Sequence, residues 1–362
     1  MAYQSPTRFN SGLSLYPYTD NLSQYPSVVT PTQFGFQNGD FVPYNAAEWT
    51  TTQTNGTAAA YPWNSGVVKL STTGSTTTDA IYLTGTMQSL QFRANNRLWF
   101  SVDVAIPSTS ATDITFRAGL SDTANPASAA NGILFRKPSG GTAVHLDVIK
   151  AGTTTSILNI ADVSKPSGIY GSTSSVGTMT GNATGTTLTA LTVATAGSGY
   201  QKDPLVVISG AAGSGATGRV EIGTGSTGMN NAGLYNAVVT SPGSGYTAGT
   251  FAAEIDHFIR FSLWFDARGT LWVGVGKTVA ASFGRFGQTS VVTGSTVDAS
   301  VTQPDSFTTP TQLSSGMTVL PPTGDFMNIA PLVTMYPSFG FVNTTANPRI
   351  AYVDQVLYAG EY

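Results

Sequence analysis

Apolar and polar residues alternate with a period of two along most of the chain. Windows with the three-and-four spacing of a helix do not reach about ten residues anywhere before Gly, Pro or a β-branched cluster interrupts them. In 97–106 (RLWFSVDVAI), Leu98, Phe100, Val102 and Val104 fall on one side and Trp99, Ser101, Asp103 and Ala105 on the other. Segments 112–120, 132–137 and 143–150 repeat the pattern, separated by Gly, Pro, Asn and Ser clusters that read as turns. The clearest hairpin is 258–275. Ile259, Phe261, Leu263 and Phe265 share a face, 266–269 (DARG) supplies the turn, and Leu271, Val273 and Val275 return. The opposite face, with Phe258, Arg260, Ser262 and Trp264, must be either solvated or covered by another layer. Residues 339–342 and 349–358 read as two final strands. Many short strands without crossover helices predict two packed antiparallel sheets rather than a parallel α/β fold.

Between about residues 166 and 250 large apolar residues thin out and Gly, Thr, Ser and Ala take over. A flexible linker would show that composition, but this segment contains an internal repeat: 193–200 (VATAGSGY) recurs 46 residues later as 239–246 (VTSPGSGY). Gly197 and Gly199, like Gly243 and Gly245, permit positive φ in a tight turn, and Tyr200 and Tyr246 can lie back over glycine backbone. The segment is therefore expected to be a small ordered β module. The first residues interleave Tyr3, Tyr16, Tyr18 and Tyr25 with Pro6, Pro17, Pro26 and Pro31, the pattern of an extended arm with aromatic anchors. The predicted organisation is an arm at 1–34, a β-sandwich split between 35–165 and 251–362, and the inserted module at 166–250.

Of 362 residues only 10% are charged, against about 25% in an average soluble protein. The 16 Lys and Arg against 19 Asp and Glu offer no basic footprint for nucleic acid. No run approaches the length of a membrane-spanning helix, so neither nucleic acid nor membrane is expected as a partner. The first residues show no basic and apolar leader pattern. Cys is absent, which excludes disulfides and thiolate chemistry, and His145 and His257 are the two imidazoles.

The strings 97–106, 116–123 (FRAGLSDT), 132–137 (GILFRK) and 258–266 (FIRFSLWFD) resemble the lectin-like, concanavalin-type jelly-roll domains of tailed-phage virion proteins. The Gly-Ser-Gly-Tyr repeats look like short β repeats carried as insertions by phage structural proteins. The resemblance implies an all-β, lectin-like jelly-roll sandwich and a virion setting, with no catalytic residue and no cofactor.

Candidate chemistry is sparse. Glu254-Ile255-Asp256 is similar to the carboxylate strand of lectin-fold glycoside hydrolases, but the second glutamate that should follow is replaced by His257, Phe258 and Ile259. The chain's four glutamates are Glu48, Glu221, Glu254 and Glu361. His145 and Asp147 are two apart and share a strand face, as a cross-strand hydrogen-bonding pair would. The oxygen-rich turn 121–125 can be imagined around calcium, although its spacing matches no EF-hand loop. Of five tryptophans, Trp99 and Trp264 alternate away from the apolar faces and are candidates for stacking on sugar rings.

The leading expectation is a non-enzymatic capsid decoration, or cement, protein on the outer capsid surface of a virion assembled in the host cytoplasm. It would form a symmetric homo-oligomer such as a trimer and bind the major capsid protein. Tyr3, Arg8, Phe9, Tyr16 and Tyr18 would serve as arm anchors, with the Tyr200 and Tyr246 module projecting outward. The alternative is a receptor-binding or tail-fibre protein whose lectin-like face binds host glycan.

Overall fold

The computed structural model describes residues 32–34, 49–60, 67–85, 90–91, 98–200, 202–208, 212–223, 232–265, 271–275, 278–283, 291–292 and 333–360. Two antiparallel sheets face each other across one apolar core. The first runs, in spatial order, Val291–Val292, Thr278–Phe283, Leu271–Val275, Ile259–Phe265, Leu98–Ala105, Ile350–Gly360, Val68–Thr72 and Gly56–Ala60, with Thr32–Phe34 also paired to Ile350–Gly360. The second runs Thr153–Asp162, Ala143–Lys150, Gly132–Lys137, Ile114–Ser121, Thr334–Asn343, Ala80–Gly85 and Trp49–Thr54, with Leu90–Gln91 beside Thr334–Asn343. The chain passes repeatedly between the two sheets, so the fold is an all-β sandwich of jelly-roll type. The two last strands enter the middle of both sheets. Neither sheet is continuous until they arrive, which makes the fold dependent on contacts far apart in sequence.

The alternation seen in the sequence explains the core. Phe100, Val102, Phe261, Leu263 and Val273 point inward from the first sheet and meet Phe116, Phe135, Leu146, Phe339 and Phe341 from the second. Phe135 and Phe261 bridge the sheets with ring centroids 5.1 Å apart, and Trp49 meets Phe339 edge-on at 5.2 Å. Gly340 occupies a position that only glycine can take: an added Cβ would lie 2.1 Å from the Ile81 carbonyl oxygen, at a φ of +151°. Lys137 sits on the inward side at the end of its strand, 1% exposed, with Nζ donating to the carbonyls of Ala111 and Gly141. Burial pulls its pKa down to about 8.

The inserted segment forms a second, smaller core. Thr178–Thr184 pairs with Thr187–Thr195, and Ser214–Gly223 with Gly233–Ser244. Each hairpin ends in Gly-Ser-Gly-Tyr with both glycines at positive φ: 65° and 82° at Gly197 and Gly199, 58° and 77° at Gly243 and Gly245. A Cβ at Gly197 would stand 2.4 Å from the Gly177 amide nitrogen, and one at Gly243 would stand 2.3 Å from that of Ala216. Those same two amides donate to the tyrosine hydroxyls, Gly177 to Tyr200 at 2.7 Å and Ala216 to Tyr246 at 3.2 Å.

The two repeats also interlock. The Tyr200 amide donates to the carbonyl of Ala232 beside the second hairpin, and the Tyr246 amide donates to the carbonyl of Thr186 in the first, both at 3.0 Å. The strand that follows the second repeat, Gly249–Asp256, pairs with the first hairpin and with Leu205–Val207. The sandwich therefore resumes at Ile259 rather than at Phe251, because the module needs this strand to complete its own sheet. The Tyr200 and Tyr246 rings lie back against glycine backbone, as the repeat suggested. Both are buried in the module core with Met179, Leu188, Leu191, Val220 and Leu234, and the Tyr246 ring lies over Gly213.

Candidate functional site

The face of the first sheet that points away from the core is built by register. Leu98–Ala105 pairs with Ile259–Phe265 so that Trp99 is opposite Trp264, Ser101 opposite Ser262 and Asp103 opposite Arg260. On the other side, Trp264 is opposite Trp272. Three tryptophans thus stand at one level of three adjacent strands, followed by a serine level and then by a charged level. The sequence singled out Trp99 and Trp264; Trp272 joins them through the antiparallel register of Leu271–Val275 on Ile259–Phe265.

At the serine level, Ser262 Oγ donates to Ser101 Oγ at 3.2 Å. At the charged level, Asp103 is 2% exposed and is held by Arg260, whose Nε and Nη2 donate to its two carboxylate oxygens at 2.7 and 2.8 Å. Burial alone would raise the Asp103 pKa, but Arg260 and then Lys202 outweigh it and hold it at about 2. Lys202 comes from the module. Its Nζ lies 3.4 Å from Asp103 Oδ2, pairs with Asp354, and stands 5.1 Å from the centre of the Phe258 ring. Beyond this level Leu205 of the module packs with Val67, Ala105, Phe258 and Tyr352 of the sandwich. The face predicted to be solvated or covered is thus covered at one end by the module, and the tryptophan row lies at the other end. Sequence alternation had placed Asp103 and Arg260 on outward faces, but nothing in it said that their strands were neighbours.

Glu254 and Asp256, which resemble a hydrolase carboxylate strand without its second glutamate, lie on the module strand Gly249–Asp256. Asp256 is 9% exposed, and burial followed by the nearby Glu254 raises its pKa to about 7. His257 stands next to it with Nε2 2.9 Å from the Val163 carbonyl oxygen, and burial lowers its pKa. A buried acid with a raised pKa stabilises the fold when protonated and opposes it when ionised. Its contribution is fully present below about pH 4 and is lost as pH rises through about 7. Replacing Asp256 by Asn is expected to flatten the fall in unfolding free energy between pH 4 and 7.5, a difference of up to about 4 kcal/mol, in urea titrations at fixed pH.

The remaining candidates are engaged locally. Asp147 accepts from Arg136 Nη2 at 3.2 Å and from Ser156 Oγ at 2.6 Å, while His145 Nδ1 accepts the Asn159 amide at 2.9 Å. In the 121–125 turn, the Asp122 carboxylate accepts from the Ala130 amide and the Asn131 side chain, and the Ser121 and Thr123 hydroxyls donate to carbonyls of the same turn. Among the described residues no three His, Asp or Glu side chains converge as a metal site. Tyr3, Arg8, Phe9, Tyr16 and Tyr18 lie outside the described residues. For Trp99 and Trp264 the structure gives strand position and register.

No protein-family model matches the chain, and no curated protein matches it. Among solved structures, it is similar to a protein of unknown function from Shewanella oneidensis (10% identity, 96% of this chain and 95% of that one, TM-score 0.39). It is also similar to peanut lectin in complex with a nine-residue peptide (10% identity, 92% and 98%, TM-score 0.35). A third is an endo-1,3-beta-glucanase from Streptomyces sioyaensis (10% identity, 92% and 96%, TM-score 0.33). At these scores the likenesses do not bear on ligand or activity.

Proposed function

We propose that this protein is a non-enzymatic virion component of a tailed phage, of the receptor-binding or tail-fibre kind, that holds a host saccharide on the outer face of its first sheet. The observation that carries this reading is the alignment of Trp99, Trp264 and Trp272 on three adjacent strands. Neighbouring strands are about 4.8 Å apart, so the row is about 10 Å long, enough to stack against more than one sugar ring. The next levels favour holding over cleaving. Ser101 and Ser262 are buried and hydrogen-bonded to each other, and the carboxylate beyond them, Asp103, is occupied by Arg260 and Lys202, so among the described residues no free acid or base stands beside the row. The phage setting rests on the resemblance carried by 97–106, 116–123 and 132–137.

Binding to a glycan array is expected to fall at least about tenfold in Trp264→Ala, with the far-ultraviolet circular dichroism spectrum unchanged. Array binding that survives this substitution, or polysaccharide cleavage that disappears in Glu254→Ala, would contradict the reading.

The second reading is the capsid decoration protein, favoured by the same resemblance and by the low charge of the chain, since hydroxyl and amide surfaces enter interfaces without the desolvation cost of ions. It places the homo-oligomer on the outer shell and assigns docking on the major capsid protein to residues 1–34. Removing that segment then abolishes addition to capsids, whereas the receptor-binding reading leaves saccharide binding intact in the same variant.

A further inference from the structure

The outer face of the second sheet carries a polar row that the saccharide reading does not use. Register sets Thr52, Tyr82, Gly340, Arg117, Arg136 and His145 at one level of six adjacent strands. Gly340 leaves the floor bare between Tyr82 and Arg117, and Cδ1 of Tyr82 lies 2.8 Å from where a Cβ on Gly340 would stand. The phenol therefore leans across the glycine toward the guanidinium. Burial raises the Tyr82 pKa, and the charge of Arg117 acts against that rise. Tyr82 is 2% exposed, yet among the described residues neither its Oη nor Arg117 Nη1 has a hydrogen-bond partner.

Among the described residues, the charges around the pair do not supply one. Asp147, the carboxylate on the neighbouring level, is shared between Arg136 and Ser156. His145 is pushed toward its neutral form by burial and by Arg136. Ser338, on the level next to Gly340, is hydrogen-bonded to Ser121. What remains among the described residues is the guanidinium of half-buried Arg117 beside a buried phenol, both able to donate, with no acceptor for either beyond the other. Leaving such groups unsatisfied costs free energy, and a buried unpaired donor set of this kind is explained by an acceptor that arrives from outside.

We propose that Tyr82 and Arg117 form a binding site for a small-molecule carboxylate, with the guanidinium providing the charge and one N–H donor and the phenol a second donor. The group can be a free small carboxylate or the carboxylate of an acidic sugar. This site lies on the opposite sheet from the tryptophan row, so it stands or falls independently of that row.

The test is isothermal titration of the full chain with acetate, glucuronate, glucose and sulfate at low ionic strength. Saturable binding of both carboxylates, at a dissociation constant of about 1 mM, is expected, with no binding of glucose. Tighter binding of glucuronate than of acetate assigns the site to acidic sugars, and equal binding assigns it to carboxylates in general. Arg117→Gln is expected to weaken either ligand at least about tenfold and Tyr82→Phe about fivefold. Because Tyr82 Oη has no partner, Tyr82→Phe is also expected to leave the melting temperature of the ligand-free protein unchanged or raised, which keeps the test valid if Arg117→Gln fails to fold. Absence of carboxylate binding, binding unaffected by Tyr82→Phe, a lowered melting temperature in that variant, or a preference for tetrahedral sulfate would each overturn the proposal.

Discussion

Replacing Asp103 by Asn is expected to lower the unfolding free energy by about 3–5 kcal/mol, the largest loss for any single polar side chain on the first sheet. The substitution keeps the shape and removes the charge. Arg260 then loses the carboxylate that accepts from its Nε and Nη2 inside the junction between module and sandwich, and Lys202 loses one of its carboxylate neighbours while keeping Asp354. The loss comes from keeping the guanidinium buried without the carboxylate that accepted its two N–H groups rather than from the value of the pair itself. Asp103→Leu combined with Arg260→Met should therefore recover most of it, and a double-mutant cycle in urea measures the coupling. Acid acts on the same group. The carboxylate's stabilisation is present above its unfolded pKa of about 4 and is lost as pH falls through about 2, a window below the one governed by Asp256.

Gly243→Ala is expected to cost at least about 2 kcal/mol and to loosen both Gly-Ser-Gly-Tyr repeats, not only its own. The new Cβ would meet the Ala216 amide nitrogen at 2.3 Å, the same amide that donates to the Tyr246 hydroxyl, at a φ of +58° that alanine adopts only under strain. Because the Tyr246 amide is bonded to Thr186 of the first hairpin and the Tyr200 amide to Ala232 beside the second, distortion of one turn reaches the other. Gly197→Ala added to Gly243→Ala should therefore cost less than the sum of the two single variants. Hydrogen exchange should show Gly177 and Ala216 losing protection together in either one. Independent, additive losses would show that the repeats fold as separate units.

The strands of the sandwich were legible because their alternation is clean. Gly132–Lys137 and Ala143–Lys150 fall where the period of two puts them, and the Phe261, Leu263 and Val273 face is core as that period requires. The hidden part was pairing between strands distant in sequence. Asp103 and Arg260 are far apart along the chain, and only the antiparallel register of their strands turns two outward-facing charges into a buried pair. The repeat was readable as a repeat and its glycines as turns, but composition could not say that the tyrosines point inward. That follows from the two hairpins closing over each other, which sets Tyr200 and Tyr246 within one core. Tyr82 and Arg117 were overlooked for a related reason. They lie on separate strands and become neighbours across Gly340, a residue whose own sequence context looks like ordinary strand.

Oxidative footprinting of tryptophan in the full chain, with and without a saturating oligosaccharide chosen from the array, tests the saccharide-binding face most directly. The account predicts that Trp99, Trp264 and Trp272 become protected together while Trp49, already buried against Phe339, stays unreactive in both states. A bound oligosaccharide that leaves all three of those tryptophans as reactive as before would contradict it.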